Sequence, residues 1–206
     1  MAPNNGAGND APKHGEEWQH TALLIVDMQN DFIQAGGPLH VAGGEAVVAE
    51  VKKAVIIARE KGAHVIWVVR EHDASGRDVE LFRTHLYPDG VVGPTVKGTY
   101  GCQLVDGLEP KTGETMLVKS RFSAFFATNL DLILRRLGIA TVVVAGVQTP
   151  NCIRATAFDA LALDYPKVMV LADATAAASP KVHDANLFDM RNVGIGTPTV
   201  DEWSSQ

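Results

Sequence analysis

Residues 141–164 read TVVVAGVQTPNCIRATAFDALALD, a buried β-strand pattern that runs directly into a helical one. The run Thr141–Val147 is apolar at consecutive positions, as strands covered on both faces of a parallel sheet are. Residues Thr149–Asp164 continue with apolar and small residues at helical spacing. Because such a strand must be covered on both faces, we expect neighbouring strands and covering helices elsewhere in the chain.

The same two patterns alternate along the rest of the chain. The other predicted strands are Thr21–Val26, His64–Val69, Thr115–Val118, Lys167–Ala172 and a weak sixth near Val193–Val200. The other predicted helices are Gly44–Lys61, Ser123–Leu137 and Ser179–Arg191. Between them, Glu71–Glu114 reads as a long loop with one short helix near Asp78–His85. The alternation predicts an α/β fold, a three-layer arrangement of a six-stranded parallel, Rossmann-like sheet with helices on both faces.

Composition limits the functions that need to be considered. The chain has 206 residues and a net charge of −6, so a basic nucleic-acid surface is not expected. No apolar run approaches the roughly 18–20 residues of a membrane span, and we expect no membrane partner. Residues 1–18 lack a signal-peptide pattern and read as a disordered tail, with a single domain over 19–206. With only two cysteines, a reduced, cytoplasmic location is expected.

Three reactive side chains follow the predicted strand ends. Asp27 follows the first strand, Lys119 follows the third, and Cys152 lies just inside the helix after the fourth. Ligands of open parallel sheets bind beyond the carboxyl ends of the strands, so we expect these groups to meet there. A helix N-terminus and a nearby lysine are expected to lower the pKa of the Cys152 thiol. Cys102 has no comparable surroundings and is predicted to be structural.

This set of groups suits acyl transfer. Cys152 would attack a carbonyl carbon, Asp27 would carry the thiol proton to the leaving amine, and Lys119 would hold their charge states. A water molecule would then cleave the thioester. Each residue also has an ordinary structural explanation, since strand-end acids cap helices, strand-end lysines are solvated and buried cysteines fill space.

At these residues the chain resembles the isochorismatase-like cysteine hydrolase family, most closely its plant-type nicotinamidase-like members. The resemblance rests on LLIVDMQNDF, KSRFSAF, GVQTPNCIRATAFDALALDY and LADATAAAS, and spans about residues 21–203. It implies the triad Asp27, Lys119 and Cys152 and a cis peptide bond before Gln148. It also implies an oxyanion hole at the N–H groups of Gln148 and Cys152, and a homo-oligomer.

The metal motif of nicotinamidases is altered here. The resemblance implies an Asp-x-His pair and a later histidine that bind zinc, but this chain has Glu71-x-Asp73 and His85. Two oxygens and one nitrogen suit a hard divalent ion better than zinc. We therefore expect no resident cofactor, with these three residues as weak candidates for a divalent metal.

Other residues are predicted to hold the substrate. Arginine matches a carboxylate with two hydrogen bonds, aromatic rings stack on flat groups, and amides donate and accept. The candidates are Arg70 and Arg77 for a carboxylate, Phe32, Trp67, Tyr100 and Phe122 for stacking, and Gln148 and Asn151. The predicted function is a cysteine-dependent amidohydrolase that cleaves a C–N bond of a small amide or ureido acid. The alternatives are a metal-assisted nicotinamidase and a catalytically silent binding protein.

Overall fold

The computed structural model describes residues 16–206. Five strands form one parallel sheet: β1 Thr21–Val26, β2 His64–Arg70, β3 Thr115–Lys119, β4 Thr141–Val147 and β5 Lys167–Ala176. Their spatial order is β3-β2-β1-β4-β5. The chain therefore winds outward from β1 to one edge, then crosses back to β4. The resulting switch point between β1 and β4 is where open α/β sheets bind ligands.

Close approach of β1 and β4 at this switch point depends on one glycine. Gly146 pairs with Val26 and has a φ of +116°. A Cβ atom on Gly146 would lie 2.0 Å from the backbone oxygen of Val26. Only glycine accepts both the positive φ and the short approach, so the neighbouring strand ends are brought together by this residue.

Helices cover both faces of the sheet. They are α1 Glu16–Gln19, α2 Asn30–Ile33, α3 Val48–Lys61, α4 Leu130–Arg136, α5 Arg154–Ala162, α6 Pro180–Asn192 and α7 Val200–Ser204. Short 3₁₀ turns span Glu45–Val47 and Leu81–Leu86, and a π-helical turn spans Thr149–Ile153. One buried core contains residues of α1, α2, α3 and α7, and the other contains residues of α4, α5 and α6. The sheet and the helices packed on each of its faces form the predicted three layers.

The prediction of a sixth strand is wrong. The backbone near Gly196 runs beside β5, with Gly196 N–H donating to Val168 O and Val170 N–H donating to Gly196 O, both at 2.9 Å. Two residues later Pro198 accepts from Ala172 N–H but has no N–H of its own to donate. The pairing therefore stops at a single parallel bridge, and the sheet has five strands.

The predicted helix Ser123–Leu137 is only half helical. Its second half forms α4, whereas the residues before it form turns. The Ser123 hydroxyl accepts from the N–H of Phe125 at 3.1 Å, and Ala127 has a left-handed φ of 53°. Both features compete with a regular helix, so the apolar spacing in this stretch reflects packing and not helical structure.

The N-terminal segment divides at residue 16. Residues 1–15 of the predicted tail lie outside the described residues, whereas residues 16–18 fall in α1. Trp18 is buried, and its ring centre lies 5.0 Å from that of Trp203 in α7. None of the helices formed by residues 16–206 has both the length and the apolar character needed to cross a bilayer.

Candidate active site

The backbone places an acid, a lysine and a thiol at one end of the sheet. Asp27 directly follows β1 with a left-handed φ of 55°, Lys119 ends β3, and Cys152 lies in the π-helical turn after β4. The peptide bond between Val147 and Gln148 is cis, as the sequence resemblance implied. All three predicted catalytic residues thus leave the sheet at its carboxyl end.

Their side chains meet through Lys119. Its Nζ lies 2.8 Å from Asp27 Oδ2, 3.4 Å from Cys152 Sγ and 3.0 Å from the backbone oxygen of Arg121. An ammonium has three N–H donors and no acceptor, so these three contacts use its full capacity when it is charged. The three side chains are almost fully buried, with exposures of 0% for Asp27, 1% for Lys119 and 4% for Cys152.

A second cation borders the thiol. Arg70 ends β2 and pairs in register with Lys119, which puts the two cations side by side. Its Nη2 lies 3.9 Å from Cys152 Sγ, and its Nη1 donates to Glu80 Oε1 at 2.9 Å and Oε2 at 3.1 Å. Burial acts to lower the pKa of Arg70, but the surrounding negative charges, Asp27 foremost, hold it above its usual value. Arg70 therefore stays charged beside the sulfur.

The expected lowering of the Cys152 pKa is wrong. Burial of the thiol raises its pKa above the ordinary value, and the negative charge of Asp27 raises it further. Lys119 and Arg70 act in the opposite direction, but they do not outweigh the loss of water. The resting thiol is therefore protonated at neutral pH and needs a base at the moment of reaction. Asp27 Oδ1 is buried and has no hydrogen-bond partner within residues 16–206.

Some predicted substrate residues lie near this centre. The Phe122 ring centre is 5.8 Å from the guanidinium carbon of Arg70. Gln148 and Asn151 belong to the turn that carries the cysteine, where Asn151 N–H donates to Gln148 O at 3.1 Å. Their predicted substrate contacts, and the oxyanion hole at the N–H groups of Gln148 and Cys152, stay predictions.

Other predicted substrate residues are placed elsewhere. Trp67 is fully buried in the core on the opposite sheet face, where its Nε1 donates to Glu114 Oε2 at 2.7 Å. Phe32 is buried in the same core. The stacking prediction for Trp67 is therefore wrong, because its ring is enclosed in the core and its N–H is bound to Glu114. Stacking by Phe32 stays a prediction. Tyr100 is exposed, and stacking by its ring stays a prediction.

Arg77 is not part of the charged cluster around the thiol. Its side chain is 77% exposed and its Nη2 pairs with Asp73 Oδ2 at 2.9 Å. The prediction of Arg77 as a carboxylate anchor is therefore wrong. Arg83, a residue absent from the sequence predictions, lies beside Glu80 and Phe122 instead. The only sequence signal for it was its position in a charged loop after β2.

Two of the weak metal candidates, Glu71 and Asp73, line one cavity, but each is paired with a cation. Glu71 pairs with Lys97 at 3.1 Å, and Asp73 is held by Ser75 and Arg77. Within residues 16–206 there is no group of three or more His, Cys, Asp and Glu side chains positioned to hold a metal ion. The donor set of Glu71, Asp73 and His85 therefore does not fit the nicotinamidase metal.

A cavity opens beside Lys119, one member of the triad. It has a volume of about 480 Å³, and its lining includes Lys119 and Ser120 at the end of β3 together with Glu71, His72, Asp78 and Lys97. This volume is in the usual range of small-molecule sites. Burial and the charge of Arg70 lower the pKa of His72, so its imidazole is neutral at neutral pH. The cavity therefore offers a polar space of mixed charge beside Lys119, whereas Asp27 and Cys152 are not among its lining residues.

Comparison with known proteins identifies the family of this chain. A model of the isochorismatase domain matches residues 21–202. A protein of Arabidopsis thaliana named "probable inactive nicotinamidase" is 57% identical over 192 residues, covering 93% of this chain and 98% of its own length. A ureidoacrylate amidohydrolase of Enterobacter sp. is 36% identical, covering 84% and 82%. The crystal structure of an isochorismatase family protein from Desulfovibrio vulgaris has a TM-score of 0.88 at 47% identity, covering 90% and 97%.

This chain belongs to the isochorismatase family. The family members to which this chain is similar include nicotinamidases and ureidoacrylate amidohydrolases.

Proposed function

We propose that this chain is a cysteine-dependent amidohydrolase that cleaves the C–N bond of a small amide or ureido acid through a thioester. One observation carries the proposal: a single ammonium, Lys119 Nζ, lies 3.4 Å from the Cys152 sulfur and 2.8 Å from the Asp27 carboxylate. A thiol, a base and a cation in contact are the minimum set for nucleophilic attack on a carbonyl. Neither of the structural roles of a buried cysteine or lysine needs this arrangement.

The first step is proton transfer within the triad. The buried, unpartnered Oδ1 of Asp27 would accept the proton of the Cys152 thiol. The resulting thiolate would lie between the ammonium of Lys119 and the guanidinium of Arg70, which stabilise its negative charge. Because the thiol is neutral at rest, the transfer and the attack on the substrate are expected to be coupled.

The next steps complete the hydrolysis. The sulfur forms a bond to the carbonyl carbon, and the carbonyl oxygen becomes an oxyanion, for which the N–H groups of Gln148 and Cys152 are the proposed donors. Asp27 returns its proton to the nitrogen as the C–N bond breaks, releasing ammonia or an amine. Asp27 then takes a proton from water, the hydroxide attacks the thioester, and the thiol regains the proton as the acid leaves.

The names of two relatives support this choice of substrate class. The Enterobacter protein is named a ureidoacrylate amidohydrolase, which acts on an amide bond of a ureido acid. The Arabidopsis protein is named a probable inactive nicotinamidase, which supports either a substrate other than nicotinamide or the catalytically silent alternative. The pairing of Glu71 with Lys97 and of Asp73 with Arg77 points the same way, because within residues 16–206 these acids and His85 form no ligand set for the nicotinamidase metal.

A substrate panel tests the proposal. The purified chain is incubated with ureidoacrylate, maleamate, N-carbamoyl amino acids and nicotinamide, and ammonia release is measured. We expect turnover of at least one acid, little or none of nicotinamide, and no turnover by Cys152→Ala. Turnover that survives in Cys152→Ala would contradict the proposal. No turnover of any compound, together with saturable binding of one, would favour the catalytically silent binding protein.

A further inference from the structure

Arg83 lies beside the triad on an element outside the sheet. It belongs to the 3₁₀ turn Leu81–Leu86, and its side chain is only 12% exposed. Its guanidinium carbon is 5.6 Å from the centre of the Phe122 ring, and that of Arg70 is 5.8 Å from the same ring. Two guanidinium groups therefore flank one ring next to the Cys152 sulfur.

The Glu80 carboxylate is hydrogen-bonded to Arg70 but not to Arg83. Glu80 accepts two hydrogen bonds from Arg70 at 2.9 and 3.1 Å, whereas Arg83 Nε lies 3.6 Å from Glu80 Oε2, too far for a hydrogen bond. Burial and the positive charge of Arg70 lower the pKa of Arg83, so these surroundings disfavour the charged form of its guanidinium. An anion next to Arg83 would stabilise the charged form.

Both guanidinium groups also have unused donors. The Nε atoms of Arg70 and Arg83 are buried, and neither has a hydrogen-bond partner within residues 16–206. Unpaired buried donors are costly, and a carboxylate is the acceptor that guanidinium donors bind most strongly. The cluster as a whole holds three cations and two carboxylates, Lys119, Arg70 and Arg83 with Asp27 and Glu80. It therefore has one positive charge to spare while the thiol is neutral.

We infer that Arg83, together with Arg70, selects substrates that carry a carboxylate beside the scissile amide, and that Arg83 is a specificity-determining residue. The inference rests on the proposed function, since it concerns the substrate of the same site. The anionic group would bring the charge of the cluster to zero and supply oxygens for the unused donors. A neutral amide of the same size would neither neutralise the charge of the cluster nor place a carboxylate against the unused donors.

Alkylation of the thiol tests this selection without any turnover. Iodoacetate is an anion and iodoacetamide is its neutral counterpart; each transfers a substituted methyl group to sulfur and releases iodide. The ratio of their rate constants at Cys152 cancels the fraction of thiolate. We expect this ratio to exceed that of N-acetylcysteine by about tenfold, because clustered cations raise the local concentration of an anion.

Variants assign the effect to Arg83. Arg83→Gln should lower the iodoacetate-to-iodoacetamide ratio about tenfold, and Arg83→Lys should retain part of it, because the charge remains. The matched control is Arg77→Gln, an exposed arginine in the same loop, which should leave the ratio unchanged. Labelling at Cys152 is quantified by peptide mass spectrometry, so that Cys102 does not contribute.

Three results would overturn the inference. They are a wild-type ratio equal to that of N-acetylcysteine, an elevated ratio that Arg83→Gln leaves in place, and no labelling of Cys152 by either reagent. A parallel assay compares maleamate with its neutral methyl ester. Equal turnover of the two compounds would contradict the selection of anionic substrates, but not the proposed amidohydrolase activity. Turnover that persists in Cys152→Ala would contradict the cysteine-dependent amidohydrolase, but not the alkylation result.

Discussion

Cys152 and Cys102 both contact Arg70, but they meet different parts of it. Cys102 Sγ lies 3.6 Å from the backbone oxygen of Arg70, whereas Cys152 Sγ lies 3.9 Å from its guanidinium. Burial raises the pKa of both thiols. Only Cys152 has a buried ammonium and a buried carboxylate in the same cluster. The comparison teaches that reactivity here depends on which charged groups share the buried space, and not on burial alone.

The strongest test of this comparison replaces each thiol in turn. Cys152→Ala should reduce turnover of an active substrate by about 10⁴-fold or more, because the covalent intermediate can no longer form. Cys102→Ala should stay within about twofold of the wild type, since a half-buried structural cysteine tolerates a small apolar replacement. Ammonia release at saturating substrate measures both. Equal losses in the two variants would remove the distinction between the thiols.

Asp27→Asn separates the base from the electrostatics of the thiol. Turnover should fall about 10²- to 10⁴-fold, because no group can accept the thiol proton. The negative charge of Asp27 raises the pKa of Cys152, so its removal should lower that pKa. Iodoacetamide reacts with the thiolate, and the alkylation curve of Cys152 should therefore move to lower pH.

The alkylation curve of Cys102 is the internal control for Asp27→Asn and should not move. A Cys152 curve that stays in place, or shifts to higher pH, would contradict the assigned contact between carboxylate and thiol.

Lys119→Met tests how much the buried cation contributes to stability, in comparison with a cation at the surface. The variant leaves the carboxylate of Asp27 buried without its partner, and the free energy of unfolding should fall by about 3–5 kcal/mol. The matched variant is Lys97→Met, which removes the exposed cation whose charge acts on Cys102. It should cost no more than about 1 kcal/mol. Urea unfolding measures both, and similar losses would show that the triad pair is not the more tightly coupled one.

The smallest expected effect concerns Cys102 itself. Burial and the negative charge of Glu71 raise its pKa to about 11. In the Cys152→Ala variant, the rate of iodoacetamide labelling should therefore keep rising with pH until about 11. A midpoint at the ordinary cysteine value would show that Cys102 is better solvated than the structure indicates.

Strand positions were the most predictable part of the fold. All five observed strands overlap a predicted apolar run. A strand covered on both faces must be apolar throughout, and the edge strand β3 is also apolar, although Met116 and Val118 are each 49% exposed. The helix predicted over Ser123–Leu137 and the strand predicted near Val193–Val200 failed for local reasons. A serine hydroxyl competed for the backbone in the first, and Pro198 lacked the needed N–H in the second.

The site divides in the same way. Asp27, Lys119 and Cys152 were predictable because each lies at or just after the end of a strand, and parallel strands end at one edge. The assignment of Trp67 failed because alternate residues of β2 face opposite cores, and periodicity does not say which core adjoins the crevice. Arg83 was missed because it lies on a turn within Glu71–Glu114, where no periodic pattern places a side chain.

The linear order of residues was enough to establish the parallel sheet and the three reactive groups at its carboxyl edge, because strand periodicity is a local property. It was not enough to establish the charge state of the thiol or the partner of each arginine. Those depend on exclusion of water and on distances between groups far apart in the chain, such as the 2.8 Å between Lys119 and Asp27. Packing alone creates both conditions, and it reversed the expected direction of the Cys152 pKa.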